Sequence, residues 1–190
     1  MSRRRGSALL DLLVGSTLAL GILAATTGAI GVGGRLLLAG AARGEAEDTA
    51  AMAVEALAFD VRRAGWDPSA AGRTPVTEAA ADRLTVTADL DANGAVDAAS
   101  EETVRWVCAA ALQRLSRVVG RQSLPLADGV SRCAFRYLDA AGAAIATPPA
   151  GLDATGRARV RAVGLDVTLV PTRLRAPVAR TAIVALRGTP

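Results

Sequence analysis

From Ser7 to Gly34 a single charged residue, Asp11, interrupts an apolar run. The uncharged stretch from Leu12 to Gly34 makes about 34 Å of helix, enough to cross a hydrocarbon core of about 30 Å. The pattern then changes period. In Ala41 to Ala64 the residues Ala50, Val54, Leu57, Val61 and Ala64 recur at steps of four and three, one apolar stripe on a helix. Glu45, Asp48, Glu55 and Arg62 fall away from that stripe, while Met52 and Phe59 fall opposite it, either under a loop, the favoured reading, or towards a neighbour. One helix is therefore predicted from about Leu9 to Arg63, with its second half lying on a sheet. Gly65 is suited to its C′ position, and Pro68 keeps it from resuming. Past Gly65 the period becomes two, in short apolar runs bounded by Gly, Pro, Asp and Asn. Strands are predicted at Arg83–Ala88, Thr103–Ala109, Ala111–Val118, Ser131–Leu138, Val160–Val170 and Ala179–Leu186. Asp139 to Gly156, with Pro148 and Pro149, is predicted as a hairpin excursion or surface loop. Helix first and strands afterwards, with no strand–helix alternation, makes the fold class α+β with an antiparallel sheet.

Composition sharpens this picture in three ways. Hydrophobic residues make up 51% of the 190, and the mean hydropathy of +0.32 is high for a soluble chain. Aromatics are only 3%, so the core is built from Ala, Val and Leu, with Trp106, Phe135 and Tyr137 among its few large pieces. There is no histidine and no lysine. That removes the commonest general base, His-dependent nucleophiles, His metal ligands and Ser-Lys pairs, and the chain is not expected to be an enzyme. The formal charge is +4, all of its cations being arginines. These do not gather into a basic tract interleaved with aromatics, and no nucleic-acid partner is expected.

Arg3, Arg4 and Arg5 stand before the apolar run and should hold the N-terminus in the cytoplasm while the rest crosses. A secretory signal peptide and an uncleaved signal anchor both account for the arginines and the apolar run. Neither accounts for Asp11, an ionisable group inside an apolar segment. Gly6 followed by Ser7-Ala8-Leu9-Leu10-Asp11-Leu12-Leu13-Val14 resembles the class III signal of type IV pilins and type II secretion pseudopilins. The resemblance implies that residues 1–6 are a leader cut by prepilin peptidase after Gly6, that Ser7 becomes the methylated N-terminus, and that Asp11 is the acid at the fifth mature position. The family usually has Phe at the first of these positions and Glu at the fifth. The cut creates an α-amino group, and in a staggered bundle of helices the acid of one subunit faces the amine of its neighbour. Their attraction in low dielectric offsets the desolvation of both. The repeated glycines at 15, 21, 28, 31, 33 and 34 suit close helix packing, and in this family local melting of the helix.

The rest of the chain extends the resemblance. Asp60, Arg62, Ala64 and Gly65 in "FDVRRAGWDP" are similar to the D-(I/V/L)-R-x-A-G stretch of W-type minor pilins, and J-type minor pseudopilins are similar. "LPLADGVSRCAFRYLDAAG", "RVRAVGLDVTLVPTR" and "RTAIVALRG" resemble later segments of the same group. The implied organisation is a leader at 1–6, a transmembrane and assembly helix at 7–38, an amphipathic helix at 39–65 and a β-rich head at 66–190. The implied role is a minor pilin or pseudopilin in the bacterial inner membrane, single-pass, with a periplasmic head, later in a pilus or secretion filament. Its partners would be other pilins, prepilin peptidase and an inner-membrane assembly platform. The rival is a signal-anchored periplasmic binding module with no filament role.

Two sites in the head have sequence support of their own. Asp89, Asp91, Asn93 and Asp97 stand at positions 1, 3, 5 and 9 of an EF-hand-like calcium loop, with Gly94 at 6. Position 12 is Ser100, with Glu101 just beyond, so the bidentate acid is missing or displaced. The competing reading is an Asn93-Gly94 hairpin turn with solvated acids at its tip. Cys108 and Cys133 lie on two predicted strands, and an even count in an oxidising compartment favours one disulfide over two buried thiols.

Overall fold

The computed structural model describes residues 4–170 and 177–187, with side chains from residue 10 onward. The first half of the leader and the 171–176 part of the "VPTR" segment lie outside the described residues. The chain falls into two units, Met1–Ala42 and Arg43–Pro190. A single helix, α1, runs from Arg4 to Arg63. In the second unit, α1 is followed by β1 (Val76–Ala79), β2 (Arg83–Thr87), β3 (Thr103–Ala109), β4 (Arg114–Val119), β5 (Gln122–Asp128) and β6 (Val130–Leu138). A short helix α2 (Ala154–Ala158) then precedes β7 (Ala162–Leu169) and β8 (Val178–Ala185). Every strand pairing is antiparallel, and the strands form two sheets, β1-β2-β3-β4-β5 and β6-β7-β8. The fold is α+β.

The helical stripe explains where the core sits. Ala50, Leu57, Val61 and Ala64 are buried, joined by Ala46, Ala53 and Ala58, against Leu84, Val104, Trp106 and Leu115 of the larger sheet. Alanines on the contacting face let the helix approach the sheet closely, and Trp106, fully buried, fills the space they leave. Met52 and Phe59 are not covered by a loop: both are 61% exposed. They stand on the face turned away from the sheet, where, among the described residues, nothing in the head crosses back over the helix. Phe59 instead carries the Arg63 guanidinium, 5.0 Å from the ring centroid.

The helix stops where predicted, for two reasons. Gly65 takes φ +77°, a conformation that costs glycine little. A side chain there would also bring its Cβ to 3.0 Å from Pro75 Cβ. The Gly65 amide turns out of the helix and donates to the Thr87 carbonyl at 2.8 Å, tying the helix end to β2.

The six predicted strands are present, β3 with the predicted ends and the other five with ends shifted. Ala111 and Leu112 belong to a single 3₁₀ turn over Ala110–Leu112 rather than to β4, because the chain must reverse between β3 and β4. Gln113, at φ 49°, completes the reversal. Two further strands, β1 and β5, border the larger sheet. β5 contains Pro125, tolerable there because an edge strand needs one row of amides only. The predicted loop from Asp139 contains an isolated bridge between Leu138 and Ala144, and α2 begins within it, capped by Asp153 accepting from the Gly156 amide. Among the described residues a disulfide and several hydrogen bonds tie the smaller sheet to the larger, one of them from the Val130 amide to the Gln113 carbonyl. Cys108 of β3 is bonded to Cys133 of β6 across a separation of 25 residues. Closing a loop of that length stabilises by about 3 kcal/mol in the chain-entropy model. The Tyr137 hydroxyl lies 2.8 Å from the Ala80 carbonyl and 2.9 Å from that of Arg83. The Phe135 amide donates to the Ala81 carbonyl.

Candidate functional site

The first unit presents an apolar helix whose large described side chains are exposed. Leu12, Ile30 and Leu37 are 74%, 74% and 77% exposed, and the large side chains between them are exposed on all faces. The segment is long and apolar enough to cross a membrane. Its hydroxyls are satisfied internally: Ser16 and Thr17 donate to the Leu13 carbonyl, Thr26 to Ile22 and Leu23, Thr27 to Leu23 and Ala24. Such back-bonding is what a polar side chain needs where water is absent. Asp11 is exposed, and its carboxylate, which only accepts, cannot back-bond to a helix carbonyl as the hydroxyls do. The glycines at 15, 21, 28, 31, 33 and 34 have nothing within 4 Å of a would-be Cβ, so each leaves an open notch on the helix surface. Gly6 and Ser7 lie within α1; their surroundings are not among the described side chains.

The second arrangement lies where the helix ends on the sheet. Asp60 is fully buried. Arg117 of β4 grips it with two bonds, Nε to Oδ2 at 2.7 Å and Nη2 to Oδ1 at 3.0 Å. The Trp106 indole donates to Oδ2 at 2.9 Å, and Arg63 pairs with Oδ1 at 3.1 Å. Arg117 and Arg63 both continue to Glu101 at the surface. Two acids thus alternate with two arginines. The Arg117 guanidinium, ahead of Arg63, pulls the Glu101 carboxyl down to about 2. Because this value lies below the ordinary 4.5, Glu101 contributes stability fully above about pH 4.5 and loses it as the pH falls towards 2. Glu101→Gln is therefore expected to flatten the stability–pH profile between those limits while changing little in its shape above them. Urea midpoints at pH 7 and pH 3 check this, and an unchanged drop in the variant would assign the acid loss to other carboxylates.

The third arrangement is the acidic loop between β2 and β3. Of the four residues the spacing singles out, two converge. Asp89 and Asp91 each bring a carboxylate oxygen within 4.8 Å of one another and of Glu102. Asp97, the remaining acid of the pattern, is not among these three. The Asn93 side chain shapes the turn, donating to Asp91 Oδ2 and accepting from the Ala95 amide, and Asp97 Oδ1 accepts from the Ala99 amide. Nor are all the acids solvated at a hairpin tip, since Asp89 and Glu102 are buried. Glu102 Oε1 accepts from the amides of Leu90 and Asp91, and Oε2 from that of Asp97. These bonds, the Asp97 amide foremost, hold its carboxyl below the usual range.

Glu102 and Arg117 are not evident as site residues from local spacing, and Glu101, the acid just beyond position 12 of the calcium pattern, pairs with Arg63 and Arg117 instead. Glu102 falls two places beyond position 12 of the calcium pattern, but the β2–β3 register brings it back: Thr87 pairs with Thr103, and the Ala88 amide donates to the Glu102 carbonyl. Arg117 is 57 residues from Asp60, and only the strand order brings them together. The chain matches no protein-family model, and it matches none of the curated proteins.

Proposed function

We propose that the chain is a minor pilin or pseudopilin, a non-catalytic subunit of a type IV pilus or type II secretion filament. The observation that carries this reading is the exposed apolar helix whose only charge between Ser7 and Gly34 is Asp11. In a bilayer the helix anchors the chain, with Arg3, Arg4 and Arg5 on the cytoplasmic side and the head in the periplasm. Cleavage after Gly6 by prepilin peptidase frees the Ser7 amine. An inner-membrane assembly platform then moves the subunit into a bundle of like helices. There the open notches at the glycines accept neighbouring backbones, and Asp11 pairs with a neighbour's N-terminus. The compact head, stapled by its disulfide, faces other subunits.

The experiment is the intact mass and N-terminal sequence of the protein from cells with and without prepilin peptidase. The reading predicts loss of Met1 through Gly6 and a methyl group on Ser7 in the first case only. A chain that keeps its leader arginines in cells with working peptidase is a simple signal anchor, and the filament role is then wrong.

A further inference from the structure

The head contains two buried aspartates, and their treatment differs. Asp60 receives four N–H donors, three of them from two arginines. Asp89 is equally buried, yet among the described residues no arginine pairs with it, with Asp91 or with Glu102. Asp89 Oδ2 accepts from the Gly94 amide at 2.9 Å and lies 3.4 Å from the Ser69 hydroxyl. Asp89 Oδ1 is buried with no hydrogen-bond partner among the described residues. An unmatched lone pair on a buried carboxylate is costly, and two further carboxylate oxygens within 4.8 Å make it costlier through like-charge repulsion. A buried acid left in this condition needs a cation.

We infer that Asp89, Asp91 and Glu102 form a binding site for a divalent cation, with calcium as the ion that fits. The donors are all hard oxygens, and no cysteine or histidine takes part, which excludes a zinc-type site. Three acids on a loop braced by its own amides suit the irregular, oxygen-rich shell that calcium accepts, whereas magnesium demands a near-ideal octahedron and gives up its water reluctantly. The missing acid of the EF-hand-like pattern is thus supplied by Glu102, just before β3 and two places beyond position 12. Glu102 has a double duty: its oxygens already hold the amides of Leu90, Asp91 and Asp97, so the residue that shapes the loop also faces the ion. The cation would close the β2–β3 connection against the 67–73 segment, which reaches the site through Ser69.

The test uses the full chain in detergent micelles, stripped with a chelator and titrated with calcium chloride or magnesium chloride by calorimetry and thermal unfolding. One calcium per chain is expected, with an affinity on the order of 10⁻⁴–10⁻³ M as in extracellular modules, and a raised melting temperature. Magnesium should produce neither at equal concentration. Asp91→Asn, at an exposed position, should weaken calcium at least about tenfold. Asp89→Asn should abolish the response, and in chelator it should melt no lower than the parent chain, because it removes an uncompensated buried charge. Asp97→Asn should titrate as the parent does. Absence of any calcium response up to about 10 mM overturns the site. So does an Asp91→Asn variant that binds normally, which is decisive even where Asp89→Asn fails to fold. An Asp97→Asn variant that loses binding as Asp91→Asn does overturns the three-acid assignment in favour of the ligand set read from spacing.

Discussion

Replacing Arg117 by methionine is expected to destabilise the head by about 3–5 kcal/mol, measured by chemical denaturation of the full chain in micelles. Methionine keeps most of the length and apolar volume of the arginine stem, so packing changes little. What disappears is the bidentate partner of a carboxylate with no solvent exposure. Arg63 and the Trp106 indole remain, but each offers Asp60 a single contact. The cost is therefore the penalty of an under-compensated buried charge, and it exceeds the net worth of the pair. A double-mutant cycle separates the two. Asp60→Leu with Arg117→Met removes both charges, and its destabilisation should fall well short of the sum of the single changes, a coupling of more than about 1 kcal/mol. The double variant still leaves the Trp106 N–H without its acceptor, so parent stability is not expected. If Arg117→Met shifts stability by less than about 0.5 kcal/mol, the pair behaves as a surface ion pair and the account of how the helix is fixed to β3 and β4 is wrong.

That clamp marks the boundary of what the chain discloses before folding. The apolar stripe of α1 is visible because its signal is local: Ala50, Leu57, Val61 and Ala64 recur at the helical period and are all buried. β3 is visible for the same reason, since Val104, Trp106 and Cys108 alternate with residues that are exposed or half-buried. β5 hides because its first three residues, Gln122 to Leu124, are all exposed and Pro125 interrupts it, so no alternation survives. β1 hides because it is four residues long. Met52 and Phe59 mislead because a large apolar side chain on a helix argues for cover, and nothing in the sequence says that cover is lacking within the chain. In the acidic loop, Asp89 and Asp91 are legible because their partners are one turn apart in sequence. Glu102 is not, because its place depends on hairpin register, and Asp60 with Arg117 depends on the order of strands in a sheet. Periodicity reports elements and spacing reports loops, whereas a site assembled across elements appears only when topology is known.

For the proposed filament subunit, Asp11→Ala is expected to leave membrane insertion and the head intact and to exclude the chain from filaments. Insertion should be slightly favoured, because an ionisable group leaves an apolar segment and the uncharged Leu12–Gly34 stretch is untouched. The head folds within the second unit, to which Asp11 does not belong. Assembly is different. In the bundle, alanine leaves a neighbour's α-ammonium group desolvated with no counter-charge, and breaking one side of such a pair costs about 3–5 kcal/mol. That corresponds to a loss of roughly a hundredfold or more in the equilibrium between membrane and filament. Asp11→Asn should fail nearly as badly, since it preserves shape and hydrogen bonding but not charge. Asp11→Glu should assemble, because it restores the carboxylate on a longer stem. Quantifying each variant in sheared filaments against the membrane fraction gives the ratio directly. Should Asp11→Ala chains enter filaments at the parental ratio, the carboxylate does not pair with a neighbouring N-terminus and the register of the bundle is set by the apolar surface alone.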